Sequence, residues 1–182
     1  PEIDTGEHVM QVIDEAARQE LGLPGRVAAL LHDLGKGATP PEFWPKHHGH
    51  EARGVALVQA VCARLRAPLE CRDLAIMVAR DHGNVHRALE LRPATVLDLL
   101  ERLDALRRPE RFEDCLAACA ADYHGREGYR ARPYPQAAHL RRALAAARAV
   151  DAGAIARAAK PDAIPEAIRQ ARVAAIGAAL KP

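Results

Sequence analysis

Apolar positions recur at helical spacing along almost the whole of this 182-residue chain. After Asp4 or Thr5, either of which suits an N-cap, Val9, Val12, Ile13 and Ala16 share one side of a first helix, with Glu7 in its first turn. Leu23-Pro24-Gly25 breaks that pattern, and Arg26 to Leu34 forms a short, very apolar second helix that Gly35 ends. Prolines and glycines keep residues 37–49 irregular, and this stretch carries Trp44-Pro45 and Lys46-His47-His48-Gly49-His50. The helical period resumes at His50 through Val55, Val58, Val61, Cys62 and Leu65, and a fourth helix runs from Leu69 to about Asp81, closed by His82-Gly83. Pro93 and Pro109 sit at favoured first-turn positions of two further helices. Two Ala-rich helices follow, over residues 136–160 and 162–180. No stretch alternates as a strand would, so the expected fold is all-α.

Composition narrows the picture. Hydrophobic residues make up 49% of the chain but aromatics only 3%, so the core is built from Leu, Ala and Val, which favours helices. The net charge of +2 excludes a basic nucleic-acid coat, and any RNA contact must come from a local cluster. Composition shifts around Pro133-Tyr134-Pro135, dividing the chain into a core, residues 1–132, and a C-terminal helical extension, residues 133–182. In that extension Arg141, Arg142, Arg148, Arg157, Arg169 and Arg172 stand among alanines, a pattern that fits a solvated face or an RNA contact. Cys62, Cys71, Cys115 and Cys119 lack CxxC spacing and read as buried structural thiols. With no targeting segment or membrane-spanning run, a reducing cytoplasmic setting is expected. His8 stands so near the start that an earlier segment is expected to cover this end.

The chemistry concentrates at Leu31-His32-Asp33-Leu34-Gly35-Lys36, where a His and an Asp interrupt an apolar helix. Neither belongs in a core without a partner. Adjacent helical residues point about 100° apart, so both reach one ion only beside the helix end, with further ligands from other helices. His8 supplies one candidate, and the helix bearing Asp98, Glu101 and Asp104 supplies another. A mixed imidazole and carboxylate set suits a divalent metal such as Mn, Co or Ni, and with water in the open positions also Mg. Such an ion acidifies water and neutralises phosphoryl charge, so phosphoester hydrolysis is the natural reaction.

His8, the His32-Asp33 doublet and a later acid resemble the H…HD…D signature of HD-domain metal-dependent phosphohydrolases. Asp4-Thr5-Gly6-x-His8, the run from Leu31-His32-Asp33-Leu34-Gly35-Lys36-Gly37 through Thr39-Pro40-Pro41-Glu42-x-Trp44-Pro45-x-His47-His48-Gly49-His50, and Tyr134-Pro135-Gln136 are more specific. Over residues 4–150 they resemble the C-terminal HD region of bacterial multifunctional CCA-adding tRNA nucleotidyltransferases. The resemblance implies an HD helical bundle with additional Ala-rich helices at its C-terminal end. It also implies 2′,3′-cyclic phosphodiesterase, 2′-nucleotidase and phosphatase activity, with a tRNA 3′ end or a phosphorylated nucleotide as substrate. An N-terminal nucleotidyltransferase domain is expected in the parent chain. No such head is present in this stretch, which alone should not add CCA.

Carried over residue by residue, His8, His32 and Asp33 are the expected ligands of a divalent Mg, Mn, Ni or Co ion. Asp104 is expected as the last ligand, with Glu101 as the alternative by alignment. His50 and His82 stand where two-metal HD enzymes place additional histidines, and are candidates for a second ion. His32, Asp33 and Lys36 are the candidate catalytic residues, Lys36 as a phosphate contact; Arg126, Arg130, Arg141 and Arg142 are the candidate RNA contacts. The alternative reading is a helical tRNA-binding or spacer module whose metal site is structural or vestigial.

Overall fold

Asp4 opens the first helix as expected, its carboxylate accepting hydrogen bonds from the Gly6 and Glu7 backbone N–H groups. This helix, α1 (Thr5–Arg18), buries His8, Val12, Glu15 and Ala16 along one face. In the computed structural model, which describes residues 4–181, eight further α-helices follow and no strand occurs among the described residues. They are α2 (Leu23–Leu31), α3 (His50–Arg64), α4 (Leu69–His86), α5 (Pro93–Arg102), α6 (Pro109–Gly125), α7 (Pro135–Arg148), α8 (Ala152–Ala158) and α9 (Ile164–Ala179). The fold is all-α.

Three boundaries differ from the sequence expectation, and two of them matter for the site. Helix α2 begins at Leu23 with Pro24 in its first turn, where a missing N–H costs nothing, and it ends at Leu31. His32 and Asp33 therefore lie at the helix exit, followed by a 3-10 turn over Leu34–Ala38 that includes Gly35. Helix α4 does not stop at Asp81 but continues through Gly83 to His86. Gly costs a helix interior only about 1 kcal/mol, and here a Cβ at position 83 would stand 3.0 Å from Glu51 Oε1. The extra turn puts His82 and His86 on one face. The expected helix over 136–160 is two helices, α7 and α8, with Asp151 capping the second through the Ala154 N–H.

The chain forms two compact units. One takes the chain to His86 together with Glu110–Tyr134; the other takes Arg87–Pro109 and the residues from Pro135 onward. Residues 87–109, placed by the sequence in the 1–132 core, thus cluster with the C-terminal helices. In the first unit α2 packs on α1 and α4, and α3 packs on α4 and on the 3-10 turn after α2. Val12, Ala16, Ala29 and Ala121 form a small apolar centre where α1, α2 and α6 meet. Small side chains let these helices approach closely; a Cβ on Gly125 would fall 2.9 Å from the Val12 Cα. In the second unit α9 packs on α5, α7 and α8, with Arg169 bonded to Asp98 at 2.8 Å.

Gly35 lies where the turn after α2 meets the start of α3. A Cβ there would collide with the His50 carbonyl and stand 2.7 Å from the Gly54 nitrogen, and both are backbone atoms that move only with the helix. Gly35→Ala is expected to lower stability by about 1–3 kcal/mol, as overpacking does, measured by urea denaturation. A loss below about 0.5 kcal/mol, the size of an ordinary surface substitution, would contradict this contact.

Candidate metal centre

The exit of α2 places His32 and Asp33 between α1, α4, α6 and the first residue of α3. Four side chains converge on one point. His8 Nε2 from α1 lies 3.1 Å from Asp122 Oδ1 of α6 and 3.9 Å from Asp33 Oδ2. His32 Nε2 lies 3.1 Å from Asp33 Oδ2 and 3.6 Å from Asp122 Oδ1. On the other side of Asp33, its Oδ1 stands 3.3 Å from His50 Nε2 and 3.5 Å from His82 Nε2, and these two nitrogens are 3.4 Å apart. The ligand-type atoms therefore fall into two groups, His8, His32 and Asp122 in one and Asp33, His50 and His82 in the other. Asp33 borders both.

The donor set fits divalent ions. His32 Nδ1 donates to the Ala29 carbonyl at 2.8 Å, His50 Nδ1 to that of His47 at 2.9 Å and His82 Nδ1 to that of Val78 at 3.0 Å. Each bond holds a proton on Nδ1 and turns Nε2 toward the centre, so that the ring, once neutral, is the tautomer that a metal requires. Two such nitrogens, on His50 and His82, face each other across a gap that only a positive charge makes favourable. His32 Nε2 and Asp33 Oδ1 are buried, and the groups facing them, a carboxylate oxygen at 3.1 Å and two imidazole nitrogens at 3.3 and 3.5 Å, suit them only with a proton or a cation between.

Burial decides the electrostatics. Asp33 and Asp122 are no more than 2% exposed, which by itself pushes carboxylate pKa values up. The surrounding histidines outweigh burial, and both are held well below the usual carboxylate range. Burial likewise opposes a charge on His32, but the Asp122 and Asp33 carboxylates prevail and raise its pKa to about 9. His50 is shifted upward too, against burial, by its contacts with Asp33 and Glu51. Protons on these rings and divalent ions thus offer alternative sources of the positive charge that the two carboxylates need.

Lys36 joins this centre, with Nζ 2.6 Å from Asp33 Oδ2. Behind Asp122, His86 Nε2 lies 2.6 Å from Oδ2. Arg126 Nη2 is 3.4 Å from Asp122 Oδ1, and Arg130 meets Glu15 at 3.4 Å. Arg141 and Arg142 are exposed on α7 in the other unit. In the loop before α3 the Trp44 indole N–H donates to the Thr39 carbonyl at 3.0 Å. All four cysteines are free and buried.

The expected last acid stands elsewhere. Neither Asp104 nor Glu101 belongs to either group; both lie in the second unit. Helix α5 stops at Arg102, and Asp104 takes a left-handed backbone with φ 53° where the chain turns, its carboxylate meeting Arg107 and Arg108. Glu101 faces Arg169 at 3.8 Å. Asp122 of α6 is the acid that stands with His8 and His32. Its signal was in the sequence, since it continues the stripe Phe112, Cys115, Leu116 and Cys119 that α6 buries. A lone carboxylate on such a face needs a cation.

A family model for the HD domain matches residues 5–127. The chain belongs to the HD-domain family, within the superfamily of metal-dependent phosphohydrolases. Its curated relatives include the Multifunctional CCA protein of Nitrosospira multiformis, 64% identical over 157 residues, which are 86% of this chain and 38% of that protein. The protein of the same name from Herminiimonas arsenicoxydans is 55% identical over 186 residues, covering 99% of this chain and 45% of the relative. That of Burkholderia multivorans is 56% identical over 183 residues, covering 100% and 44%. The chain thus spans less than half the length of these relatives. No solved structure matches it.

The raised pKa of His32 gives metal binding a pH dependence. A ring protonated below about 9 must release its proton before Nε2 can coordinate. Affinity for Mn²⁺ is therefore expected to rise with pH from neutrality and level off above about 9. Calorimetric titration at neutral pH in two buffers of different ionisation enthalpy should show proton release. Identical heats in both buffers, with an affinity indifferent to pH, would contradict the assignment.

Proposed function

We propose that this HD domain is a phosphohydrolase that uses two divalent ions, Mg, Mn, Ni or Co, to open 2′,3′-cyclic phosphodiesters and to remove 2′- and terminal phosphates. The ring of Nε2 and carboxylate atoms around Asp33 carries the reading, because the two oxygens of one buried side chain face two separate ligand groups. His8, His32, Asp33 and Asp122 hold one ion; Asp33, His50 and His82 hold the other. When bound, the pair supplies an acidified water and charge neutralisation at the phosphorus.

The chain's own groups do the positioning. Backbone-anchored imidazoles keep their lone pairs turned inward, so little reorganisation is needed on binding. Lys36, already beside Asp33, is 17% exposed at its side chain and stands where a phosphoryl oxygen can meet its ammonium. Arg126 and Arg130, and Arg141 and Arg142 on α7, are the proposed contacts to the RNA backbone. In view of the relatives' name, we place the chain as the C-terminal part of a CCA-adding tRNA nucleotidyltransferase acting in the cytoplasm, with the tRNA 3′ end as substrate. The alternative, a tRNA-binding module with a structural metal site, differs in one respect: it binds ions and hydrolyses nothing.

Hydrolysis of 2′,3′-cyclic AMP, 2′-AMP and a generic phosphomonoester, measured with Mg²⁺, Mn²⁺, Co²⁺ and Ni²⁺, separates the two. The native chain should turn over at least one of these. Asp33→Ala and Asp122→Ala should each lose more than the roughly 10- to 100-fold typical of residues that merely support a ligand, while Asp104→Ala leaves the rate unchanged. Background rates for the native chain with every metal, or full activity in Asp33→Ala, would overturn the proposal.

A further inference from the structure

Two side chains behind Asp122 have no part in the reading above, yet they decide how that carboxylate stands. His86 lies one turn beyond His82 on α4 and brings Nε2 to 2.6 Å from Asp122 Oδ2. The Tyr134 hydroxyl lies 3.0 Å from His86 Nδ1. The two oxygens of Asp122 are thereby divided. Oδ1 faces His8 and His32, at 3.1 and 3.6 Å, and Oδ2 faces His86.

The donor and acceptor roles along this line fix one another. An ionised carboxylate only accepts, so the His86 nitrogen facing it carries the proton. The other nitrogen of a neutral imidazole is then an acceptor, and the phenol opposite it is the donor. Without that hydroxyl the preference for a bare Nδ1 is lost, and the tautomer with its proton there turns a lone pair toward Asp122 Oδ2, removing the hydrogen bond on that side of the carboxylate. Tyr134 is itself held, with its ring packed on Tyr123 at 5.0 Å and 37° between planes and edge-on to His86 at 5.8 Å. Tyr123 follows Asp122 directly on α6. The helix that presents the carboxylate therefore also steadies the group that orients it.

We propose that Tyr134 and His86 are positioning residues for Asp122, selecting one imidazole tautomer and one carboxylate orientation and so setting the affinity for the ion held with His8, His32 and Asp33. The proposal rests on the metal-centre reading but not on the identity of the substrate. Metal-ligating groups are commonly supported in this way, and loss of such a partner costs about 10- to 100-fold in affinity.

The test is a calorimetric titration of Mn²⁺ into the chelator-treated chain, following the binding step that Asp122→Ala abolishes. Tyr134→Phe keeps the ring packing and should weaken this step by about 2- to 10-fold, the worth of one neutral hydrogen bond. His86→Ala should weaken it by about 10- to 100-fold. His86→Gln should recover much of that loss, because an amide offers Asp122 a donor without a tautomer to choose. In the His86→Gln background the further change Tyr134→Phe should then have a smaller effect than in the native chain. Equal losses from Tyr134→Phe in the two backgrounds, or unchanged Mn²⁺ affinity in Tyr134→Phe, would overturn the proposal while leaving the metal centre standing. If His86→Gln does not fold, the Tyr134→Phe titration decides alone. A native chain that binds no Mn²⁺ would overturn both.

Discussion

Two buried carboxylates, Asp33 and Asp122, are the constraint that the first unit is built around. An ionised carboxylate removed from water is costly unless compensating charge and hydrogen bonds follow it inside. Here the compensation comes from five imidazoles, Lys36 and Arg126. Because the imidazoles arrive on several separate segments, the full set is available only when α1, α2, α4, α6 and the first residue of α3 are all in place. His8 on α1, His32 at the end of α2, His50 at the start of α3, and His82 and His86 on α4 are each within 4 Å of one of these two acids. Packing therefore follows the charges. Val12, Ala16, Ala29 and Ala121 are small because the helices carrying the ligands must come close.

Orientation and juxtaposition have separate origins. His32, His50 and His82 are each oriented by a carbonyl three or four residues earlier, within their own stretch of backbone. Those bonds are local and would form in any chain that folds the segment. What brings the Nε2 atoms together is the approach of helices distant in sequence, helped by Gly35 against Gly54 and by Gly125 against Val12. His86 follows the same logic from the other side, receiving its orientation from Tyr134, far along the chain.

This separation explains what could be read from the residues alone. The helical class, the Asp4 cap and the His8, His32, Asp33 set were legible, because periodicity, capping chemistry and an adjacent His-Asp doublet are local signals. Asp122 carries no such local signal. Three acids spaced over residues 98–104 make a stronger pattern than one acid among alanines and cysteines, yet such acids pair readily with nearby arginines, as Asp98 and Asp104 do, whereas a single acid in a buried stripe marks one that must be neutralised. The extra turn of α4 was hidden by Asp81-His82-Gly83, which reads as a helix stop until the approach of Glu51 explains why a glycine sits in mid-helix. That turn is what brings His86 to Asp122.

Anomalous scattering tests the shared role of Asp33 most directly. In crystals of the native chain soaked in Mn²⁺ and measured at the metal's absorption edge, two peaks are expected. One should lie among His8, His32, Asp33 and Asp122, the other among Asp33, His50 and His82, with an oxygen of Asp33 touching each. A single peak, two peaks of which only one contacts Asp33, or manganese bound elsewhere would contradict the two-ion centre.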